Sequence, residues 1–278
     1  MLNLEKQKQI IQQLKPIDDA FAEKLFEDIP VCQEVLATIL EDPGLTITEV
    51  IPQNTIKNLQ GRSVRLDALC KKSDGSFCNI ELQKADKDNH LKRTRYNAAC
   101  ITANVTDPGN NFEQVPEVYV IYISRFDLFR DGKTIYHMEN VLLENNRLVD
   151  NGQHVIFVNT KVDDGTKIAE LMQCFEQTYV DNPNFPQLSK RVQQFKDSKE
   201  VNSGMCELLE EYAKEYAAEH VAEYAQEYAK EYAVKQAMDI ARRLFESEHT
   251  FEQTRMLISE ELLTDEELRG VEAEVQKK

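Results

Sequence analysis

No apolar run in this 278-residue chain reaches the roughly 18 residues that a membrane-spanning helix needs, so no membrane partner is expected. The first sixteen residues, MLNLEKQKQIIQQLKP, lack the apolar stretch of a secretory signal, which points to a cytoplasmic protein. Cysteine is sparse. Cys32, Cys70, Cys78, Cys100, Cys174 and Cys206 form no CxxC pair and no Cys/His ligand spacing. That argues against a zinc or disulfide framework and for reduced, buried thiols. There is no glycine-rich phosphate loop, no GxSxG and no His/Cys/Asp constellation, which leaves little support for a small-molecule enzyme. Positive charge is also short, with 33 Lys and Arg against 49 Asp and Glu and a net charge of −16. On its face that argues against nucleic acid. The deficit is uneven, however. Residues 207–278 hold 9 basic and 19 acidic side chains, and residues 1–206 hold 24 and 30. The first part is therefore only mildly acidic, and bound metal would offset a carboxylate cluster within it.

What is present centres on Arg62 to Gln83. Val64, Leu66, Ala68 and Cys70 alternate with Arg65, Asp67 and Leu69, and Cys78, Ile80 and Leu82 alternate with Phe77, Asn79, Glu81 and Gln83. Both runs have strand periodicity, and Ser73-Asp74-Gly75 between them reads as a three-residue hairpin loop. If Lys72 faces Ser76, then Asp67 faces Glu81 and Arg65 faces Gln83. The two carboxylates then share one sheet face with Cβ atoms roughly 5 Å apart. A two-residue loop would set Asp67 against Leu82 and turn the two apolar sets away from each other. Facing carboxylates destabilise a hairpin, so something must offset them. A divalent cation does this with one or two carboxylates, leaving positions for water and phosphate. Arg65, Lys84 or another base on a solvated face does it equally well.

RLDALC, then NIELQKAD, then KRTRYNAA resembles the PD-(D/E)XK nuclease superfamily, and more closely its branch of PD-(D/E)XK nuclease family transposases, related to recombination-promoting nucleases. The resemblance runs from about Lys15 through YVIYISRFD and HVIFVNT, roughly the first 200 residues. It implies a restriction-endonuclease-like α/β core and a Mg²⁺-dependent (or Mn²⁺-dependent) DNA endonuclease, with Asp67 and Glu81 as metal ligands. The superfamily's lysine, two positions after the glutamate, is Gln83 here. An amide hydrogen-bonds but carries no charge, so its role would be to position water or a phosphate oxygen. The resemblance also implies a supporting acid on a helix before the first strand, for which Asp19 and Glu34 are candidates. A helix cap and a solvated side chain are the competing readings. Finally, it carries an Arg-x-Arg-Tyr pattern onto Arg93, Arg95 and Tyr96, against the reading of solvated charge on an ordinary helix. Such enzymes cut duplexes as dimers, which makes a homodimer an expectation.

The remaining elements follow in order. Residues 1–44 read as helices broken near Pro16 and Pro30, and residues 45–56 as the first core strand. Asp88 is the expected cap of a helix to about Val105, with Leu91, Tyr96, Ala98, Ala99 and Ile101 on one face. EVYVIYIS, from Glu117 to Ser124, is a run for a strand buried on both faces at the sheet centre. Val155 to Val158 is a shorter one, with strands and turns between the two. Helices are expected over Thr166 to Tyr179 and Gln187 to Phe195. Residues 207–245 contain six successive tetrads of the EYAK type, with His220 in one tyrosine position. A period of four drifts around a helix of 3.6 residues per turn, so this is a long helix without a straight dimer seam. Thr264 and Glu267 form a capping box further on. The expected organisation is an α/β core with a central mixed β-sheet flanked by helices over 1–206 and a helical C-terminal arm over 207–278. An alternative function remains open: a degenerate nuclease fold acting as an interaction protein through its arm.

Overall fold

The computed structural model describes residues 4–56, 64–87, 89–109, 111–197, 207–210, 212, 232–247, 249–260 and 262–276. The chain divides into two compact units, Met1–Ala213 and Lys214–Lys278.

The first unit is built on one mixed sheet. Its strands are β1 (Ile47–Ile56), β2 (Val64–Lys72), β3 (Phe77–Gln83), β4 (Val118–Ser124), β5 (Ile135–Met138) and β8 (Gln153–Asn159). They lie in the order β1-β2-β3-β4-β8-β5. β1 to β3 meander antiparallel, β3, β4 and β8 run parallel, and β5 returns antiparallel on β8. β6 (Asn140–Leu142) and β7 (Arg147–Val149) form a separate small hairpin between β5 and β8. β4 has neighbours on both sides, as its continuous apolar run predicts. Its Ile121 and Ile123 join one buried cluster, and its Val118, Val120 and Tyr122 join another.

The larger cluster lies under α1 (Leu4–Gln13), α2 (Asp19–Phe26), α3 (Ile29–Ile39), α5 (Lys167–Phe175) and α6 (Pro186–Lys196). The smaller one lies under α4 (His90–Val105). Helices thus cover both faces of a sheet whose central strands are parallel, which is how such strands avoid exposing apolar faces. The cap of α4 is Asn89, whose side chain accepts the Lys92 N–H at 3.0 Å. Asp88, expected in this role, lies outside the described residues. The buried face of α4 also differs from the apolar stripe expected. Leu91 is exposed, and His90, Thr94 and Asn97 are buried beside Ala98 and Ile101.

The β2–β3 hairpin has the expected loop. Lys72 N–H donates to Ser76 O at 2.9 Å, Gly75 N–H donates to Lys72 O at 3.1 Å, and Gly75 sits at φ +91°. Pairing follows as Lys71↔Phe77, Cys70↔Cys78, Leu69↔Asn79 and Ala68↔Ile80. Space is open around Gly75, so only backbone strain opposes a side chain there. Gly75→Ala is expected to cost about 1 kcal/mol in urea unfolding, with no change of slope.

Cys32, Cys70, Cys78, Cys100 and Cys174 are free and buried, as expected, and burial holds the Cys78 thiol well above its ordinary range. Cys206 lies outside the described residues. In the second unit, residues 232–246, Phe251–Leu257 and Asp265–Gln276 are helical around Ala241, Leu263 and Leu268. The capping box is present: Thr264 N–H donates to Glu267 Oε2 at 2.8 Å and Glu267 N–H to Thr264 Oγ1 at 3.3 Å. Most of the tetrad run, 213–231 with His220, lies outside the described residues. No helix among the described residues is long and apolar enough to cross a membrane.

Candidate active site

β3 alternates strictly. Cys78, Ile80 and Leu82 enter the larger core, which turns Asn79, Glu81 and Gln83 toward the α4 side. On the neighbouring strand their register partners are Val120, Tyr122 and Ser124.

Regular β2–β3 pairing stops at Ala68↔Ile80, one step before the two carboxylates. There the Leu82 N–H donates to Asp67 Oδ2 at 2.8 Å. A side-chain oxygen thus takes a ladder acceptor's place and anchors Asp67 one step beyond the last regular pair, where its charge acts on Glu81. Glu81 is fully buried. Its Oε1 accepts from Asn79 Nδ2 at 3.0 Å, while Oε2 has no hydrogen-bond partner among the described residues. Arg93 places Nη2 3.6 Å from Oε2. Burial, then the negative charge of Asp67, push the Glu81 carboxyl up to about 8; the Asn79 bond and Arg93 oppose them.

Arg93 lies one helical turn into α4. Its Nη1 donates to Gln83 Oε1 at 3.1 Å, and Gln83 Nε2 donates to Ala85 O at 3.0 Å. Both ends of the Gln83 amide are therefore engaged, and the glutamine holds the arginine in place. Arg95 is exposed on the same helix, and Tyr96 is half-buried against the smaller core. Of the two arginines offered by the sequence, Arg93 is the one brought to the carboxylates.

The two candidate supporting acids fall elsewhere. Glu34 accepts the N–H groups of Gln187 at 3.1 Å and Leu188 at 2.8 Å, so it caps α6. A carboxylate suits that helix N-terminus. Asp19 is exposed on the first turn of α2. The acid next to it, Asp18, accepts from Lys15 N–H at 2.8 Å and lies 3.4 Å from Arg125 Nη2. Among the described residues no set of three or more His, Cys, Asp or Glu is placed to hold a metal, so neither Asp19 nor Glu34 joins Asp67 and Glu81.

Sequence reasoning missed a polar chain that runs from exposed Asp86 through buried His90 to Tyr122, beside Glu81. Tyr122, its register partner, is fully buried, with its hydroxyl 2.6 Å from His90 Nδ1. His90 Nε2 lies 3.0 Å from Asp86 Oδ1. With Nε2–H donated to the carboxylate, Nδ1 accepts the tyrosine hydroxyl. This chain ties the first turn of α4 to β4 and so fixes the helix that carries Arg93. No local signal marks it, because the three residues come from a loop, a helix and a strand. Tyr122→Phe strands His90 Nδ1 in the core and is expected to cost about 1–3 kcal/mol of stability, read by urea denaturation.

Chemically, the site is a dry carboxylate with one unpartnered oxygen, a second carboxylate facing it, and a fixed guanidinium. An unpartnered, buried Glu81 oxygen beside Asp67 fits a hard divalent cation, which takes one or two carboxylates and completes its shell with water and phosphate. No His nitrogen or Cys sulfur, which zinc sites favour, joins the pair among the described residues.

A family model described as PD-(D/E)XK nuclease family transposase matches residues 20–169, which span β1 to β8 and reach α5. No curated protein and no solved structure matches the chain. The six-stranded mixed sheet with helices on both faces agrees with the restriction-endonuclease-like fold of that superfamily. The match covers more than half of the chain and contains both facing carboxylates, and the chain belongs to the PD-(D/E)XK nuclease family transposases.

Proposed function

We propose that the first unit is a Mg²⁺-dependent DNA endonuclease, with Asp67 and Glu81 as its cation ligands. The observation that carries this reading is Glu81: a fully buried carboxylate with an unpartnered oxygen, facing a second carboxylate. A buried charge beside another of the same sign is costly unless a cation or a proton neutralises it. When bound, the cation would lower the pKa of a water and stabilise charge developing on phosphate. Mn²⁺ meets the same ligand chemistry.

The protein's own residues do the rest. Asn79 fixes one oxygen of Glu81, which leaves the other for the cation. Leu82 N–H fixes Asp67. Arg93 supplies the fixed positive charge near the reacting phosphate, and Gln83 positions Arg93. This revises the role read for Gln83 from sequence, since its amide is engaged at both ends. The surface around α4 carries Lys87, Lys92 and Arg95, all exposed, and these would meet the DNA backbone. Cutting both strands would call for two copies of the chain, so a homodimer and a part in DNA recombination belong to this proposal.

The test is relaxation of supercoiled plasmid. Nicking with Mg²⁺ and none with a chelator is the expected outcome. A wild-type protein that leaves plasmid intact in both Mg²⁺ and Mn²⁺ would return the chain to the second reading, an interaction protein working through its helical arm. The uncharged Gln83 is the observation that keeps that reading in view.

A further inference from the structure

Arg93 stands in an unusual place for a phosphate-binding residue. Its Nη2 lies 3.6 Å from the one oxygen of Glu81 that has no hydrogen bond, the oxygen a cation would take. Its Nη1 is held separately, by Gln83 at 3.1 Å. The Arg93 side chain is 37% exposed, while that of Glu81 is 0% exposed, so the pair joins a buried carboxylate to a side chain partly open to solvent. At 3.6 Å the contact with Glu81 is an ion pair without a hydrogen bond, whereas the contact with Gln83 is a formed one. The arginine is thus firmly held at one end and loosely held at the other.

On the reading of Asp67 and Glu81 as cation ligands, we propose that Arg93 is an exchangeable counter-ion. In the metal-free protein it lies against Glu81 and pairs with that carboxylate once it ionises. A divalent cation takes its place there, and the guanidinium, still anchored by Gln83, is released to a DNA phosphate. The physical basis is competition: two cations cannot both neutralise the same buried oxygen, and a guanidinium is as well matched to phosphate as to carboxylate. Cation and DNA would then bind cooperatively, because the first frees the contact the second needs.

The test uses the full-length protein and two readouts that do not involve cleavage. The first is Mn²⁺ binding without DNA, by calorimetry, for wild type, Arg93→Gln and Arg93→Met, with circular dichroism to verify folding. Removing the arginine is expected to tighten Mn²⁺ binding about fivefold, the size of a partly exposed ion pair. A merely structural or substrate-binding arginine would leave that affinity unchanged or weaken it. The second readout is binding of a duplex oligonucleotide in Ca²⁺, where the same variants are expected to bind more weakly and to lose about one unit of salt slope. Unchanged or weaker Mn²⁺ binding in both variants overturns the exchange. If Glu81→Gln still abolishes Mn²⁺ binding in that case, the ligand assignment survives on its own. If wild type and the arginine variants all fail to bind Mn²⁺, both fall.

Discussion

Glu81→Gln is expected to make the metal-free protein more stable at alkaline pH, by on the order of 5 kcal/mol. Removing a buried charge that faces another of the same sign is the reason. The carboxyl of Glu81 rises from its ordinary 4.5 to about 8, through burial first and the charge of Asp67 second. The folded state therefore keeps a proton that the unfolded state gives up across this window. Stability must fall as pH rises from 4.5 toward 8, because deprotonation is easier once the chain unfolds. Below 4.5 both states hold the proton and the penalty vanishes. Several other carboxylates here, such as Asp74 and Glu176, titrate the opposite way, since hydrogen bonds and cations hold them low. Only the difference between wild type and variant isolates Glu81. Urea denaturation of both proteins across this range reads it directly. A difference that stays flat with pH would mean that Glu81 is ionised and neutralised in the folded protein. Saturating Mg²⁺ is expected to remove the wild-type slope, because the cation then takes over from the proton.

The second large effect separates two jobs of Asp67. Its Oδ2 accepts the Leu82 N–H, and its charge faces Glu81. Asp67→Asn keeps an oxygen for Leu82 but removes the charge a cation needs. Cleavage is expected to fall about 10³-fold, the scale of losing several kcal/mol of charge stabilisation, with little change in stability. Asp67→Ala removes the acceptor as well. It should lose cleavage to the same degree and about 1–2 kcal/mol of stability besides. Equal stability for the two variants would show that the Leu82 hydrogen bond contributes nothing measurable. Near-normal cleavage by Asp67→Asn would remove Asp67 from the cation site.

The reach of the sequence followed the length scale of the forces involved. The β2–β3 register was legible because strand alternation has period two and Gly75 pinned the loop, so facing pairs followed by counting. The central place of β4 was legible from a run with no polar face. The underside of α4 was not. Its contact with the sheet is made by His90, Thr94 and Asn97, and a search for an apolar stripe passes over them in favour of Leu91, which is exposed. The hydrogen bond from Asn79 to Glu81 joins residues two apart, within reach of sequence reasoning had the burial of Asn79 been foreseen. Glu34 is the opposite case: its partners, Gln187 and Leu188, lie more than 150 positions away, and no local pattern connects them. Gln83 was read by its own chemistry, whereas its hydrogen bond to Arg93, 3.1 Å away, comes from packing that no local pattern shows.

The central claim is that Asp67 and Glu81 together hold the cation that drives phosphodiester hydrolysis. Plasmid cleavage in Mg²⁺ by wild type, Asp67→Asn and Glu81→Gln, compared at equal folded concentration, tests it most directly. Nicking by wild type alone, lost on chelation and restored by added Mg²⁺, is the expected result. Cleavage by either variant at the wild-type rate would contradict it.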